Sequence, residues 1–192
     1  MTGATGIFGG SFDPVHHGHL IVALTMADRL GLGQVRLLVA QHQPLKRGRH
    51  GAPGEHRAAM LDLAVRGTPQ LRVDRTELSR PGPSYTVDTL AQLSQAEPGT
   101  DWVLLLGADA ATDFERWKAP EVIRSRVSRV VVFNRKGMAV PGGFDRVDVP
   151  TIEMSSTEIR ARVRADRSIR YWVPDAVAEY ISTHRLYRED EA

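Results

Sequence analysis

Between Val35 and Phe133 the chain repeats one pattern: a short run with almost no polar residue, then a longer stretch with apolar residues at helical spacing. The runs are Val35–Ala40 (VRLLVA), Trp102–Leu106 (WVLLL) and Val130–Phe133 (VVVF). A strand with one wet face alternates apolar and polar residues. A strand covered on both faces is apolar throughout, which is the signature of parallel sheets sandwiched by helices. Thr5–Phe8, Leu71–Val73 and Val147–Val149 are weaker strand candidates. Helices are expected over Gly18–Leu30, Glu55–Arg66, Thr86–Ala96, Glu121–Arg126, Ser156–Arg164 and Pro174–Thr183, the last with proline at its first position. Val87, Leu90 and Leu93 mark the inner face of the third. This order predicts an α/β fold, a doubly wound parallel sheet with helices on both faces. With 192 residues, one domain over 1–192 is expected.

Such sheets bind ligands beyond the carboxyl ends of their strands, near the point where strand order reverses. That directs attention to the loops Gly9–His19, Gln41–Arg49, Gly107–Trp117 and Asn134–Gly137. Within Gln43–Gly54 the sequence is basic and glycine-rich, and reads as a mobile loop. Composition narrows the chemistry. The 25 Lys and Arg against 23 Asp and Glu leave a net charge of +2, which argues against a broad nucleic-acid surface. The absence of cysteine excludes disulfides, thiolate nucleophiles and cysteine-bound zinc. No apolar run approaches the roughly 20 residues that span a bilayer, and the first residues lack a signal-peptide pattern. A soluble cytoplasmic protein without a membrane partner is expected, and the sequence leaves its oligomeric state, homo-oligomers included, open.

The loop after the first strand reads GGSFDPVHHGH, Gly9 to His19. Gly9 and Gly10 let backbone N–H groups come close to a ligand. Neither G-K-[ST] nor G-x-G-x-x-G is present. His16 and His19, three residues apart, share a face if both lie in the first helical turn. That turn carries unsatisfied N–H groups and the positive end of the helix dipole, which suit an anion. An isolated histidine there would read as an ordinary loop donor. A cluster at a strand end beside a glycine turn reads as a cradle, and zinc is a poorer fit because it wants a further ligand.

A second anion pattern, MSSTEIR, occupies Met154–Arg160. Ser155 and Glu158 fit a capping box at a helix start. Ser156 and Thr157 add hydroxyls and N–H groups, and Arg160, four residues after Ser156, adds a fork of donors on the same face.

These two stretches resemble the signatures of the nucleotidyltransferase superfamily with the H-x-G-H motif, here His16-His17-Gly18-His19. The second signature has Met154 where isoleucine is usual. The resemblance implies a Rossmann-like sheet of the nucleotidyltransferase type. It also implies ATP binding by Gly9, Gly10, Ser11, Phe12, His16, His19, Gly107, Asp109, Ser155, Ser156, Thr157 and Arg160, with His16, His19 and Arg160 in catalysis. PSYTVDTL (Pro83–Leu90), GADAATDFERWK (Gly107–Lys118), FNRKG (Phe133–Gly137) and WVPDAVAEYISTHRLY (Trp172–Tyr187) are similar to the nicotinate mononucleotide adenylyltransferase family. For that acceptor the resemblance implies Lys46, Thr86, Asp109, Trp117 and Arg135, with the Trp117 ring exposed to stack on the nicotinate. Thr86 and Asp109 have a plainer rival role as helix caps. Lys46 and Arg135 have one as solvated charges, Lys46 the more so because QHQPLKRG departs from the family's run.

The implied reaction joins ATP and nicotinate mononucleotide into nicotinate adenine dinucleotide and pyrophosphate, with Mg²⁺ accompanying ATP and held mostly by phosphate and water. The acid rather than the amide mononucleotide is favoured by resemblance alone. Phosphopantetheine adenylyltransferase, a related transferase, and a non-catalytic nucleotide-sensing module are the alternatives. His17 receives no role.

Overall fold

The computed structural model describes residues 3–41, 51–135, 142–150 and 152–188. Its centre is a sheet of six parallel strands in the order β3-β2-β1-β4-β5-β6. The strands are β1 (Thr5–Gly10), β2 (Gln34–Val39), β3 (Leu71–Asp74), β4 (Trp102–Gly107), β5 (Arg129–Arg135) and β6 (Asp145–Val149). The helices are α1 (His17–Leu30), α2 (Gly54–Val65), α3 (Thr86–Ala96), α4 (Ala108–Thr112), α5 (Pro120–Arg126), α6 (Ser156–Arg164) and α7 (Asp175–Thr183). The chain winds outward from β1 to β3, then returns to the far side of β1 with β4. The strand order therefore reverses between β1 and β4, whose pairing runs Thr5 to Trp102 through Phe8 to Leu105.

Side chains alternate across a strand, so each central strand feeds two cores. Phe8, Val103, Leu105 and Val131 enter one core with α1, α2, α6 and α7. Ile7, Leu104, Leu106, Val130 and Val132 enter the other with α3 and α5. Val103 and Val131 are fully inaccessible on one face, and Val132 is on the other. Each such side chain contributes about 2 kcal/mol relative to exposure. This is the physical meaning of VVVF and WVLLL. Val87, Leu90 and Leu93 of α3 all point inward, as their spacing predicts.

Several boundaries differ from expectation. Gly107–Trp117 is not a plain loop: it forms α4 and a 3₁₀ turn at Phe114–Arg116. Elements this short leave no periodicity to read. β5 continues through Asn134 and Arg135, so Asn134 is a fully buried strand residue. Pro174 caps α7 instead of beginning it. Among the described residues, no helix is long and apolar enough to cross a membrane.

Candidate active site

The turn after β1 is shaped by its glycines and Phe12. Gly9 is exposed, and a Cβ built there meets nothing within 4 Å, so its backbone is open to an incoming group. A Cβ on Gly10 would lie 2.9 Å from the Phe12 ring. Phe12 itself has φ 49° while only 1% exposed. A side chain in this left-handed region costs on the order of 1 kcal/mol or more, and such residues cluster at functional sites. Here the conformation tucks the ring beneath the turn, edge-on to Phe8 at 5.7 Å and to His19 at 5.1 Å between centroids.

His16 is not within the first turn of α1. It is the N-cap, with extended backbone (φ −144°, ψ 167°), and is 5% exposed. His19 stands at the third helical position and its Nδ1 accepts the main-chain N–H of His16 at 3.3 Å. An accepting Nδ1 leaves Nε2 as the N–H of a neutral ring. The two imidazoles stack with centroids 3.6 Å apart and planes 24° from parallel. The expected pairing of His16 and His19 is therefore present, produced by capping and stacking and not by two positions on one helical face. Gly18 belongs to the same arrangement: a Cβ there would meet His16 Nδ1 at 3.0 Å and Cε1 at 3.1 Å. Two N–H groups of this helix start are already used: His17 donates to the Trp172 carbonyl at 3.1 Å and His19 to the His16 carbonyl at 2.9 Å.

α6 starts as the MSSTEIR pattern predicts. Ser155 is the N-cap, and its hydroxyl accepts the Glu158 N–H at 3.1 Å. The Ser156 hydroxyl differs from expectation, for it donates to the Pro14 carbonyl at 2.9 Å. What Ser156 offers an anion is its backbone amide, while exposed Thr157 offers a hydroxyl as well. Arg160 donates through Nη1 to the Asp13 carbonyl at 2.7 Å, and through Nη2 to Thr157 Oγ1 at 3.4 Å. Two segments 142 residues apart, Pro14 and Ser156, are thus in direct contact.

The acceptor candidates lie at the ends of β4 and at the start of α3. Gly107 is the N-cap of α4, and Asp109 is exposed within it without acting as its cap. Tyr85 is the N-cap of α3, which makes Thr86 the first helical residue and not the cap. Trp117 is half-buried, not fully exposed, with its ring tilted against Phe114 at 5.3 Å. Lys118 joins these two regions, donating to both oxygens of Asp88 at 2.9 and 3.1 Å and lying 4.8 Å from the Tyr85 ring centroid. Arg135 ends β5. Lys46 lies outside the described residues, as does most of the Gln43–Gly54 stretch. Ser11 is half-buried, and its carbonyl accepts from Arg57 at 2.6 Å.

Sequence reasoning missed Asp13, Arg57 and Tyr187 as parts of this site. Asp13 stands within the quoted GSFDP run. Arg57 carries no signal, because a lone arginine in a helix reads as a surface charge, yet it is 1% exposed.

Two N-terminal helix ends, histidines and an arginine meet beside β1, where the strand order of the sheet reverses. That is the architecture of a cytidylyltransferase-like protein, and the profile of the family so described matches residues 7–162. Several relatives are each described as a "probable nicotinate-nucleotide adenylyltransferase". That of Roseiflexus sp. (strain RS-1) is 42% identical over 196 residues, covering 95% of this chain and 97% of the relative. Those of Salinibacter ruber and Thermus thermophilus are each 44% identical, covering 95% of this chain and 97% and 98% of the relatives. The chain belongs to the nicotinate-nucleotide adenylyltransferase family. The fold agrees: a Plasmodium falciparum nicotinic acid mononucleotide adenylyltransferase complexed with NaAD superposes with a TM-score of 0.79 at 18% identity, over 96% of this chain and 97% of that one.

Proposed function

We propose that this chain transfers the adenylyl group of ATP to nicotinate mononucleotide, giving nicotinate adenine dinucleotide and pyrophosphate. The observation that carries the reading is the junction of the two phosphate motifs. Ser156 and Arg160 of the second motif rest directly on Pro14 and Asp13 of the first, at the point where strand order reverses.

A phosphate monoester has its second pKa near ~6, so the acceptor phosphate is already a nucleophile at neutral pH and needs no general base. The difficulty is electrostatic: one polyanion must approach another in line. The protein's part is positioning and charge neutralisation. The exposed Gly9 backbone, the Nε2–H of His19, the amides at the start of α6 and the remaining donors of Arg160 supply these. His16, buried beneath His19, keeps that ring in place by stacking. On the acceptor side, the reading keeps Thr86 at the α3 start, Gly107 at the end of β4 and the half-buried Trp117, whose ring is of a kind that stacks on a pyridine.

Among the described residues no group of three or more His, Asp or Glu side chains converges. The donors at the junction are cationic or amide groups, which fit phosphate oxygens better than a bare cation. Mg²⁺ therefore fits as a passenger of the triphosphate, where it neutralises phosphate charge. Lys46 and Arg135 are kept in this reading as acceptor-phosphate contacts.

The test is pyrophosphate release from ATP with nicotinate mononucleotide, nicotinamide mononucleotide or phosphopantetheine supplied in turn. Release with the first and little with the others is expected. Release only with phosphopantetheine would replace the acceptor, and none with any acceptor would leave a nucleotide-binding module.

A further inference from the structure

Asp13 belongs to the first phosphate motif, at the point where the second motif meets it, and is 4% exposed. A carboxylate is buried at this depth only where hydrogen bonds compensate its lost hydration. Its partners reveal what it holds. Oδ2 accepts the N–H of Gly51 at 2.7 Å, and Oδ1 accepts the N–H of Ala52 at 3.1 Å and the Tyr187 hydroxyl at 2.8 Å. Its own carbonyl accepts Arg160, and the same guanidinium nitrogen lies 3.8 Å from Oδ2. Arg57 ties in a further corner, donating to the Ser11 carbonyl at 2.6 Å and to the Ala52 carbonyl at 3.1 Å.

Three remote segments therefore converge on Asp13 in the turn after β1: the Gly51–Ala52 lead into α2, the second motif on α6, and Tyr187 near the end of the described chain. The fit is close, since a Cβ on Gly51 would fall 2.8 Å from Arg160 Cδ and 3.0 Å from the Tyr187 ring. Burial, followed by the charge of Asp13, drives the Tyr187 hydroxyl pKa far above its ordinary value. The phenol is thus a constant donor across the working pH range. None of these bonds requires a ligand.

We propose that Asp13 is a positioning residue for the adenylyl-transfer site, holding Arg160 of the second phosphate motif and the Gly51–Ala52 turn against the first motif so that both are aligned before ATP arrives. This rests on the ATP reading above. Asp13 touches no substrate; it acts through Arg160 and the turn. A guanidinium fixed in advance meets the triphosphate without losing further side-chain freedom, which is how preorganised sites gain over floppy ones.

The test uses the full chain with Asp13→Asn, Tyr187→Phe, Arg160→Ala and the double variant Asp13→Asn/Arg160→Ala. ATP binding is measured by calorimetry without acceptor, and turnover with ATP, Mg²⁺ and nicotinate mononucleotide. Circular dichroism and thermal unfolding check that each variant is folded. Asn keeps the size of Asp13, but its amide nitrogen would face main-chain donors. We expect Asp13→Asn to weaken ATP binding or lower kcat by about tenfold or more, while the KM for the mononucleotide stays within about twofold. Tyr187→Phe is expected to shift the same constants in the same direction by less. In the Arg160→Ala background, Asp13→Asn should add less than about threefold, because the two act as one unit.

A purely structural role would lower the melting temperature without this split or coupling. Folded Asp13→Asn with wild-type ATP binding and kcat, or penalties that multiply independently in the double variant, would overturn the proposal. Should Asp13→Asn not fold, Tyr187→Phe replaces it in the same cycle, with the same outcomes deciding. Wild-type protein that neither binds ATP nor releases pyrophosphate would instead defeat the adenylyltransferase reading, and this proposal with it.

Discussion

Replacing Gly18 by alanine separates two reasons for a glycine inside a helix. Gly18 is the second residue of α1, is buried, and its φ is not positive, so backbone conformation does not demand glycine. Alanine at a helical position gains about 0.5–1 kcal/mol over glycine from propensity alone. Against that, the new Cβ would meet His16 Nδ1 at 3.0 Å and Cε1 at 3.1 Å, several tenths of an ångström inside ordinary contact. The His16 ring has little room to yield, since it is 5% exposed and stacked 3.6 Å from His19. Overpacking of this kind costs about 1–3 kcal/mol. The net expectation is a stability change of roughly 0 to 2.5 kcal/mol destabilising, measurable as a fall in urea midpoint at unchanged slope. Activity should suffer more. Pushing His16 displaces His19, and small misplacements of catalytic groups cost on the order of tenfold to a hundredfold. The assay is steady-state pyrophosphate release beside equilibrium unfolding. Gly18→Ala with wild-type kcat would refute the argument that this glycine exists to seat the histidine pair.

His19→Ala removes the Nε2–H donor and the acceptor for the His16 amide; kcat should drop about tenfold or more with the fold retained by circular dichroism. A normal kcat would remove His19 from the cradle. Trp117→Ala should raise the KM for nicotinate mononucleotide more than that for ATP, and equal effects would assign the ring to packing against Phe114. Glu77 tests burial. It is 5% exposed, accepts from Thr89 at 2.7 Å, and burial raises its pKa despite help from Ser84 and Thr89. A raised folded pKa means that stability is lost as pH climbs from the ordinary carboxylate value through the raised one. Glu77→Gln should flatten that decline, and parallel melting curves from pH 4 to pH 8 for both proteins would contradict it.

The doubly wound sheet was legible because burial on both faces leaves a local mark. VRLLVA, WVLLL and VVVF are apolar at every or nearly every position, and the helices between them carry their own spacing. α4 and the 3₁₀ turn were not legible, since Ala108–Thr112 and Phe114–Arg116 are too short to show a period. The two anion motifs were visible as residue types beside helix starts. Their internal geometry was not: His16 caps where a first-turn position was expected, and the Ser156 hydroxyl bonds to Pro14. Trp117 was expected as an exposed ring after a loop; it is half-buried, and its tilted contact with Phe114 depends on a 3₁₀ turn the sequence does not announce.

By itself the sequence determined the fold class, the two helix-start motifs and the family, because each is written in residues close together along the chain. Only the tertiary structure decided how those motifs are joined. Asp13 meets Gly51, Arg160 and Tyr187 across as many as 174 positions. Arg57 is buried because Ser11 and Ala52 have carbonyls to receive it. A buried charge is tolerable only when distant backbone groups converge on it. Such convergence is a property of the closed fold, and no local pattern around Asp13 or Arg57 records it.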